Sequence, residues 1–217
     1  MSELPVLPVF AIERHRLTSD GVGVTTLVGA YGCPLKCKYC INPYAWNPEK
    51  ISKCIPMSCE ELLNRVKIDH LYFMATGGGI TFGGGESLLH ADFIRTFRQI
   101  SPKEWSICVE TSLNVPSEQF VKSLGIVNDY IVDIKDLNPA TYKAYTSMPI
   151  DRMLTNLSSL IKEVSPKHVK IRVPLIPNYN TKADTTSSEE TLRKMGFTQI
   201  EVFPYVIRNE SSYRYIP

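Results

Sequence analysis

Six short runs rich in branched apolar residues recur through the sequence, at positions 22–30, 79–82, 105–109, 130–134, 168–176 and 200–206. Several are almost unbroken in apolar residues, the pattern of parallel strands buried on both faces. Helix signals fall between them. Ser58 with Glu61 makes a capping-box pattern ahead of Leu62, Leu63 and Val66, and positions 87–100 carry Leu88, Phe93, Ile94 and Phe97 along one stripe. Pro116, Pro139 and the Ser187/Ser188 to Glu190 cluster mark three later starts. Strand and helix in alternation predict right-handed βαβ units and a parallel sheet. Six units fall short of the eight that close a barrel, so the pattern suits a partial (β/α)6 barrel or a flat doubly wound sheet, which periodicity alone does not separate.

With 217 residues the chain has the length of one ordinary domain, and 43% hydrophobic against 21% charged residues is the composition of a globular chain with a sizeable core. We expect a single domain over 1–217, with a core at about 20–206 and short extensions at both ends. Positions 174–184 read as a loop, and the chain past Tyr205 as a loose tail. Lys+Arg 24 and Asp+Glu 22 leave a formal charge of +2, too balanced to point to nucleic acid or an anionic membrane. No stretch approaches the roughly 18 apolar residues of a membrane span. Positions 1–12, with Pro5 and Pro8, lack the basic-then-apolar order of a secretory leader. Six cysteines in such a chain point to a reducing compartment, and the expectation is a cytoplasmic protein.

The first strand candidate runs directly into Cys33-Pro-Leu-Lys-Cys37-Lys-Tyr-Cys40, a C-x3-C-x2-C array. Three thiols on one short loop can face a common centre, and thiolates are the ligands of iron–sulfur clusters. Three ligands leave one iron of a four-iron cluster open to a substrate or cofactor. Two plainer readings stand beside this one: ordinary core thiols, or an incomplete zinc site whose fourth ligand is one of the scattered His15, His70, His90 and His168. A second signal is Thr76-Gly77-Gly78-Gly79-Ile-Thr-Phe-Gly83-Gly84-Gly85-Glu86. Glycines at a strand end expose backbone at the carboxyl rim, where ligands bind in parallel α/β folds, and Glu86 adds a carboxylate there. The run has neither the Lys-Ser/Thr of a phosphate loop nor a G-x-G-x-x-G, so nucleotide phosphate binding gains no support.

Together the C-x3-C-x2-C after one strand and the G-G-E after the next resemble the radical S-adenosylmethionine (SAM) superfamily. Asp20-Gly-Val-Gly23, Tyr39-Cys40-Ile-Asn42 with Trp46, Phe73-Met-Ala-Thr-Gly-Gly-Gly-Ile-Thr81, Glu110-Thr111, Asp133-Ile-Lys135 and Phe203-Pro-Tyr205 are similar to its glycyl-radical-enzyme activating branch, in order and over most of the chain. The resemblance implies the partial barrel. It also implies a [4Fe-4S] cluster on Cys33, Cys37 and Cys40, reductive cleavage of SAM to a 5′-deoxyadenosyl radical, and hydrogen abstraction from a glycine of a partner glycyl radical enzyme. By position, Gly84, Gly85 and Glu86 would receive the methionyl amino group, with Glu86 as acceptor. Asp133 and Lys135 match a D-x-K pair, Lys135 neutralising the SAM carboxylate. Arg172 matches an arginine that contacts SAM, Tyr39 an aromatic neighbour of the adenine, and Asp20 an acidic residue near the incoming peptide. In some activases a monovalent cation sits beside SAM on an Asp-Thr pair and the D-x-K aspartate; here the pair is Glu110-Thr111, so that site survives only if the longer carboxylate fits. A flavodoxin- or ferredoxin-type protein would supply the electron.

Taken singly, Asp133 with Lys135, Arg172 and Tyr39 also suit a surface ion pair, a helix anchor and core packing. Cys54, Cys59 and Cys108 read as structural. The chain departs from the branch at Gly83, where serine is usual, at Ser87 in place of proline, and at Ile41 and Val206 in place of histidines. Two other functions therefore stay in view: a radical SAM enzyme acting on a small molecule or peptide, like a deazaguanine synthase, and a cluster-binding protein that does not cleave SAM.

Overall fold

The computed structural model describes residues 5–17 and 19–207. All six expected strands form, as β2 (Val24–Ala30), β4 (Gly79–Gly84), β5 (Ser106–Thr111), β6 (Asp129–Asp133), β7 (Val169–Leu175) and β8 (Gln199–Pro204). They pair in parallel in chain order. Two strands that the sequence reading missed extend this sheet: β1 (Leu7–Leu17) lies antiparallel on β2, and β3 (Ile55–Met57) antiparallel on β1. The complete order is β3-β1-β2-β4-β5-β6-β7-β8, an open sheet with β3 and β8 at its edges. The amino-terminal extension is therefore part of the sheet.

Parity along the strands separates a dry side from a polar one, since successive side chains point to opposite faces. Phe82 of β4 meets Phe93 and Phe97 of α3 (Ala91–Ile100), and Tyr130 of β6 meets Phe120 of α4 (Ser117–Ser123). Ile80, Ile107, Val109, Val132, Ile171 and Val173 share this parity and are fully buried. The alternate residues Thr81, Gly83, Cys108, Glu110, Asp133 and Arg172 take the other face. The near-continuous apolar look of the strands thus hides an inner face that is small or ionisable, and this is what makes room for a site.

The capping box predicted at Ser58 and Glu61 opens α1 (Cys59–Val66), with Leu62 and Val66 buried. A further helix, α2 (His70–Thr76), precedes β4. The single helix expected over 87–100 is a 3-10 turn at Ser87–His90 followed by α3. Asn138 caps α5 (Pro139–Thr146) at the expected proline. Two expectations fail nearby. The long helix α6 (Asp151–Glu163) was not foreseen, and α7 (Lys182–Lys194) starts at a Thr181/Asp184 capping box, inside the stretch read as loop and ahead of Ser187. Among the described residues no helix is long and apolar enough to cross a membrane. The expected loose tail lies mostly outside the described residues.

Candidate active site

The expected site residues gather at the carboxyl ends of the parallel strands and on the inner face just below. The cysteine loop leaves β2 and docks on the end of α5, where Lys36 N donates to Thr146 O at 2.9 Å and Lys38 N to Tyr145 O at 3.1 Å. Leu35, 2% exposed, pins the loop into the core between Cys33 and Cys37. None of the six cysteines is in a disulfide. Burial pushes the Cys37 thiol up to about 11 against the pull of Lys135, and burial with a contribution from Glu86 raises Cys33 as well. Cys33 and Cys37 each feel Cys40 electrostatically, so the three sulfurs share one neighbourhood. Asn42 N lies 3.3 Å from Cys40 Sγ as a donor to it.

Among the described residues no three His, Cys, Asp or Glu side chains converge on one ion. The histidines have their own partners: His15 at Asp69, His70 at Trp105, His90 at the Tyr31 carbonyl and His168 at Asp129. By donor chemistry, three soft thiols on one loop suit a polynuclear cluster that spreads its ligands over several irons.

The glycine-rich turn faces this loop. Asn42 Nδ2 donates to Gly84 O at 3.1 Å, Gly85 N to Ala30 O at 3.1 Å, and Glu86 N to Gly32 O at 2.7 Å. Gly85 has no substitute here: a Cβ would stand 2.3 Å from Gly32 O and 2.7 Å from Ala30 O, both backbone atoms. Asn42, which the sequence reading quoted only as part of a motif, is thus the stitch between the two signals.

Glu86 is not the open acceptor at the rim that was expected. It is 2% exposed, and its carboxylate already receives four hydrogen bonds. Thr111 Oγ1 (2.6 Å) and Leu88 N (3.2 Å) donate to one oxygen, Ser112 N (2.8 Å) and Ser112 Oγ (2.6 Å) to the other. A carboxylate has about four acceptor positions, so this one is saturated. Burial raises its pKa while these donors pull it down. Ser112, which carried no signal in the sequence, is half of the device.

On the inner face Lys135 Nζ lies 3.4 Å from Asp133 Oδ2. Burial alone would lower Lys135, but Asp133 and Cys37 more than offset it and hold the ammonium above its ordinary value. Arg172, register partner of Asp133 across β6 and β7, donates from Nη1 to Glu110 Oε1 at 2.9 Å and from Nη2 to the Ser19 carbonyl. Its Nη2 is also 3.9 Å from Asp20 Oδ1. Burial drives Glu110 up to about 7, opposed by Arg172 and reinforced by Asp133 and Asp20. Asp20 is 4% exposed, paired with Arg16, and its backbone carbonyl accepts from Thr81. Tyr39 stands edge-on to Tyr145 and Tyr179, with ring centroids at 6.1 and 5.7 Å, and its carbonyl accepts from the Tyr205 hydroxyl. Ile41 and Val206 are both exposed. Cys59 and Cys108 are buried, as structural thiols should be, and Cys54 is half-buried with its thiol on Lys50 O.

The profile of the radical SAM superfamily matches residues 27–186, and the chain belongs to that superfamily. Its members work with a [4Fe-4S] cluster and SAM. Relatives in sequence include the (2S)-3-sulfopropanediol dehydratase activating enzyme of Klebsiella oxytoca, 27% identical over 83% of this chain and 74% of that protein. The pyruvate formate-lyase 2-activating enzyme of Escherichia coli is 26% identical over 96% of this chain and 80% of that protein. The pyruvate formate-lyase-activating enzyme of Clostridium pasteurianum is 28% identical over 91% and 81%. In shape the chain resembles SuiB of Streptococcus suis (TM-score 0.62, 10% identity), covering 81% of this chain but only 37% of that longer one. It also resembles anSMEcpe with bound AdoMet (TM-score 0.56, 16% identity), covering 85% of this chain and 53% of that one. These structural likenesses carry the partial-barrel fold alone.

Proposed function

We propose that the chain is a glycyl-radical-enzyme activating enzyme, a single domain with its core at about 20–206, which places a radical on a backbone glycine of a partner enzyme. The observation that supports this most is the joining of the cysteine loop to the Gly-Gly-Glu turn through Asn42 and Gly84, above a floor of ionisable side chains. Cys33, Cys37 and Cys40 would hold a [4Fe-4S] cluster, which would supply the electron for reductive cleavage of SAM to methionine and a 5′-deoxyadenosyl radical.

The side chains around it orient SAM and exclude water. Lys135, kept protonated by Asp133, neutralises the methionyl carboxylate. Glu86 acts one step back: saturated by Thr111, Ser112 and Leu88, it braces the turn, and backbone oxygens of the Gly84–Gly85 segment are left to take the methionyl amino group. Tyr39 offers an aromatic edge to the adenine. Arg172 and Asp20 line the inner face toward the incoming peptide. The sheet is open between β3 and β8, so a loop of a partner can enter from the side. A flavodoxin- or ferredoxin-type donor and a reducing cytoplasm complete the setting, in keeping with six cysteines outside disulfides. A monovalent cation is not carried into this reading, for the reason developed below.

The test is anaerobic reconstitution with iron and sulfide, reduction, and incubation with SAM and candidate glycyl radical enzymes. The expected result is 5′-deoxyadenosine together with a glycyl radical signal in electron paramagnetic resonance. 5′-Deoxyadenosine with a low-mass product and no protein radical would replace the proposal by the small-molecule reading. Absence of 5′-deoxyadenosine from the reduced, SAM-loaded protein would leave a cluster-binding protein without SAM cleavage.

A further inference from the structure

Two departures from the resembling pattern, Gly83 and Glu110, are neighbours in space. They lie on adjacent strands, β4 and β5, at positions that face the same inner side. A Cβ added at Gly83 would stand 2.6 Å from Glu110 Oε2, 3.1 Å from Leu27 Cδ1 and 3.3 Å from Glu110 Cβ, so the longer carboxylate makes the closest approach to the space that a serine side chain would claim. The extra reach is used. Glu110 Oε1 accepts from Arg172 Nη1 at 2.9 Å, and both side chains are largely shielded, at 20% and 17% exposure.

The groups expected to hold a monovalent cation are committed elsewhere. The Thr111 hydroxyl donates to Glu86 at 2.6 Å and accepts from Leu113 N at 2.9 Å. Glu110 is bonded to the guanidinium, and Asp133 faces the Lys135 ammonium. Positive charge is also present there without an added ion. Arg172 and Lys135 already place fixed positive charge against Glu110 and Asp133. A further cation would have to lie against a fixed guanidinium in a shielded chamber, where like charges repel strongly.

We propose that Arg172, held by Glu110 in the space that Gly83 leaves, is a built-in counter-cation that takes the place of a bound monovalent cation in this site. Gly83 and Glu110 are then one paired replacement, and both are positioning residues that act through Arg172. The proposal deepens the SAM-binding reading and rests on it for its ligand, but the coupling between the two positions stands on packing alone.

Two measurements test it separately. Thermal unfolding of the reconstituted protein is compared for the parent, Gly83→Ala, Glu110→Asp and the double variant. Gly83→Ala is expected to lower the melting temperature in the parent, because the new methyl displaces the carboxylate from Arg172, and to lower it far less where the carboxylate is already shortened; additive losses would overturn the pairing. SAM affinity of the parent is then measured in potassium, sodium and tetramethylammonium salts of equal ionic strength. Affinities within about twofold of one another are expected, and tightening by potassium of about tenfold would overturn the substitution of arginine for a bound cation. Failure to bind SAM in any salt would overturn the functional reading and this counter-cation role with it, while the unfolding comparison would still decide whether Gly83 and Glu110 are coupled.

Discussion

Glu86→Gln separates a bracing carboxylate from one that grips SAM. The two backbone donors on Glu86 sit on opposite oxygens, Leu88 N on Oε1 at 3.2 Å and Ser112 N on Oε2 at 2.8 Å. An amide has one oxygen, so either orientation of glutamine turns its NH2 against one of these N–H groups. The hydroxyls of Thr111 and Ser112 can rotate to adapt; the backbone cannot. A stranded buried donor costs about 1–3 kcal/mol, and losing charge on the remaining bonds adds about 1 kcal/mol, for a total near 3 kcal/mol. For a domain of this size each kcal/mol moves the melting temperature by about 2–4 °C, so a fall of about 6–12 °C is expected in circular dichroism of the cluster-loaded protein under anaerobic conditions. SAM affinity is measured in parallel below the transition. The reasoning is refuted if the melting temperature stays within about 1 °C of the parent while SAM affinity drops about tenfold, because Glu86 would then be spending its carboxylate on the ligand rather than on the chain.

Cys37→Ala is expected to lose iron binding and its visible absorbance, while Cys54→Ala and Cys59→Ala keep both; a full iron complement in the Cys37 variant would remove the ligand assignment. Lys135→Met should retain the cluster and weaken SAM binding by about tenfold or more, read by equilibrium dialysis, since little solvent reaches this largely shielded side chain to replace the lost ammonium. A pH effect follows from Glu110, whose folded value of about 7 lies above the ordinary 4.5. The folded chain holds this proton more tightly than the unfolded chain does, so the stabilisation is complete below about 4.5 and is lost as pH rises through about 7, worth at most about 3 kcal/mol. Urea unfolding of the parent and Glu110→Gln at pH values across that window should show the parent falling relative to the variant, and parallel curves would contradict the burial that causes the shift.

What the sequence disclosed and what it hid follow from the same geometry. Five of the parallel strands, β2 and β4 to β7, were legible because one face is dry and branched apolar residues there make conspicuous runs, while β8 showed by its branched residues although it is largely exposed. β1 escaped because only its first half is buried: Leu7 and Val9 are in the core, while Glu13, Arg14 and Arg16 face outward or into ion pairs. α6 has Ile150 at its N-cap position and so no side-chain cap, which leaves a search for cap residues without a start, and the aspartate at the third position of the Thr181 box is a weaker signal than glutamate. Most of the candidate site residues could be picked out because they lie in contiguous motifs, and the structure brings them together on the inner side of the sheet. Their mutual engagements could not be picked out, because they link positions far apart in the chain: Asn42 with Gly84, Ser112 with Glu86, Arg172 with Glu110 and Asp20. Read one at a time, Gly83 for serine adds only flexibility and Glu110 for aspartate only length. Side by side on β4 and β5 they are a single change in which a lost side chain makes space for a longer one, and it redirects a carboxylate from an external cation to the arginine of β7. A departure from a family's pattern is therefore best judged by what occupies the neighbouring strand at the same level, and in this barrel the neighbour absorbs it.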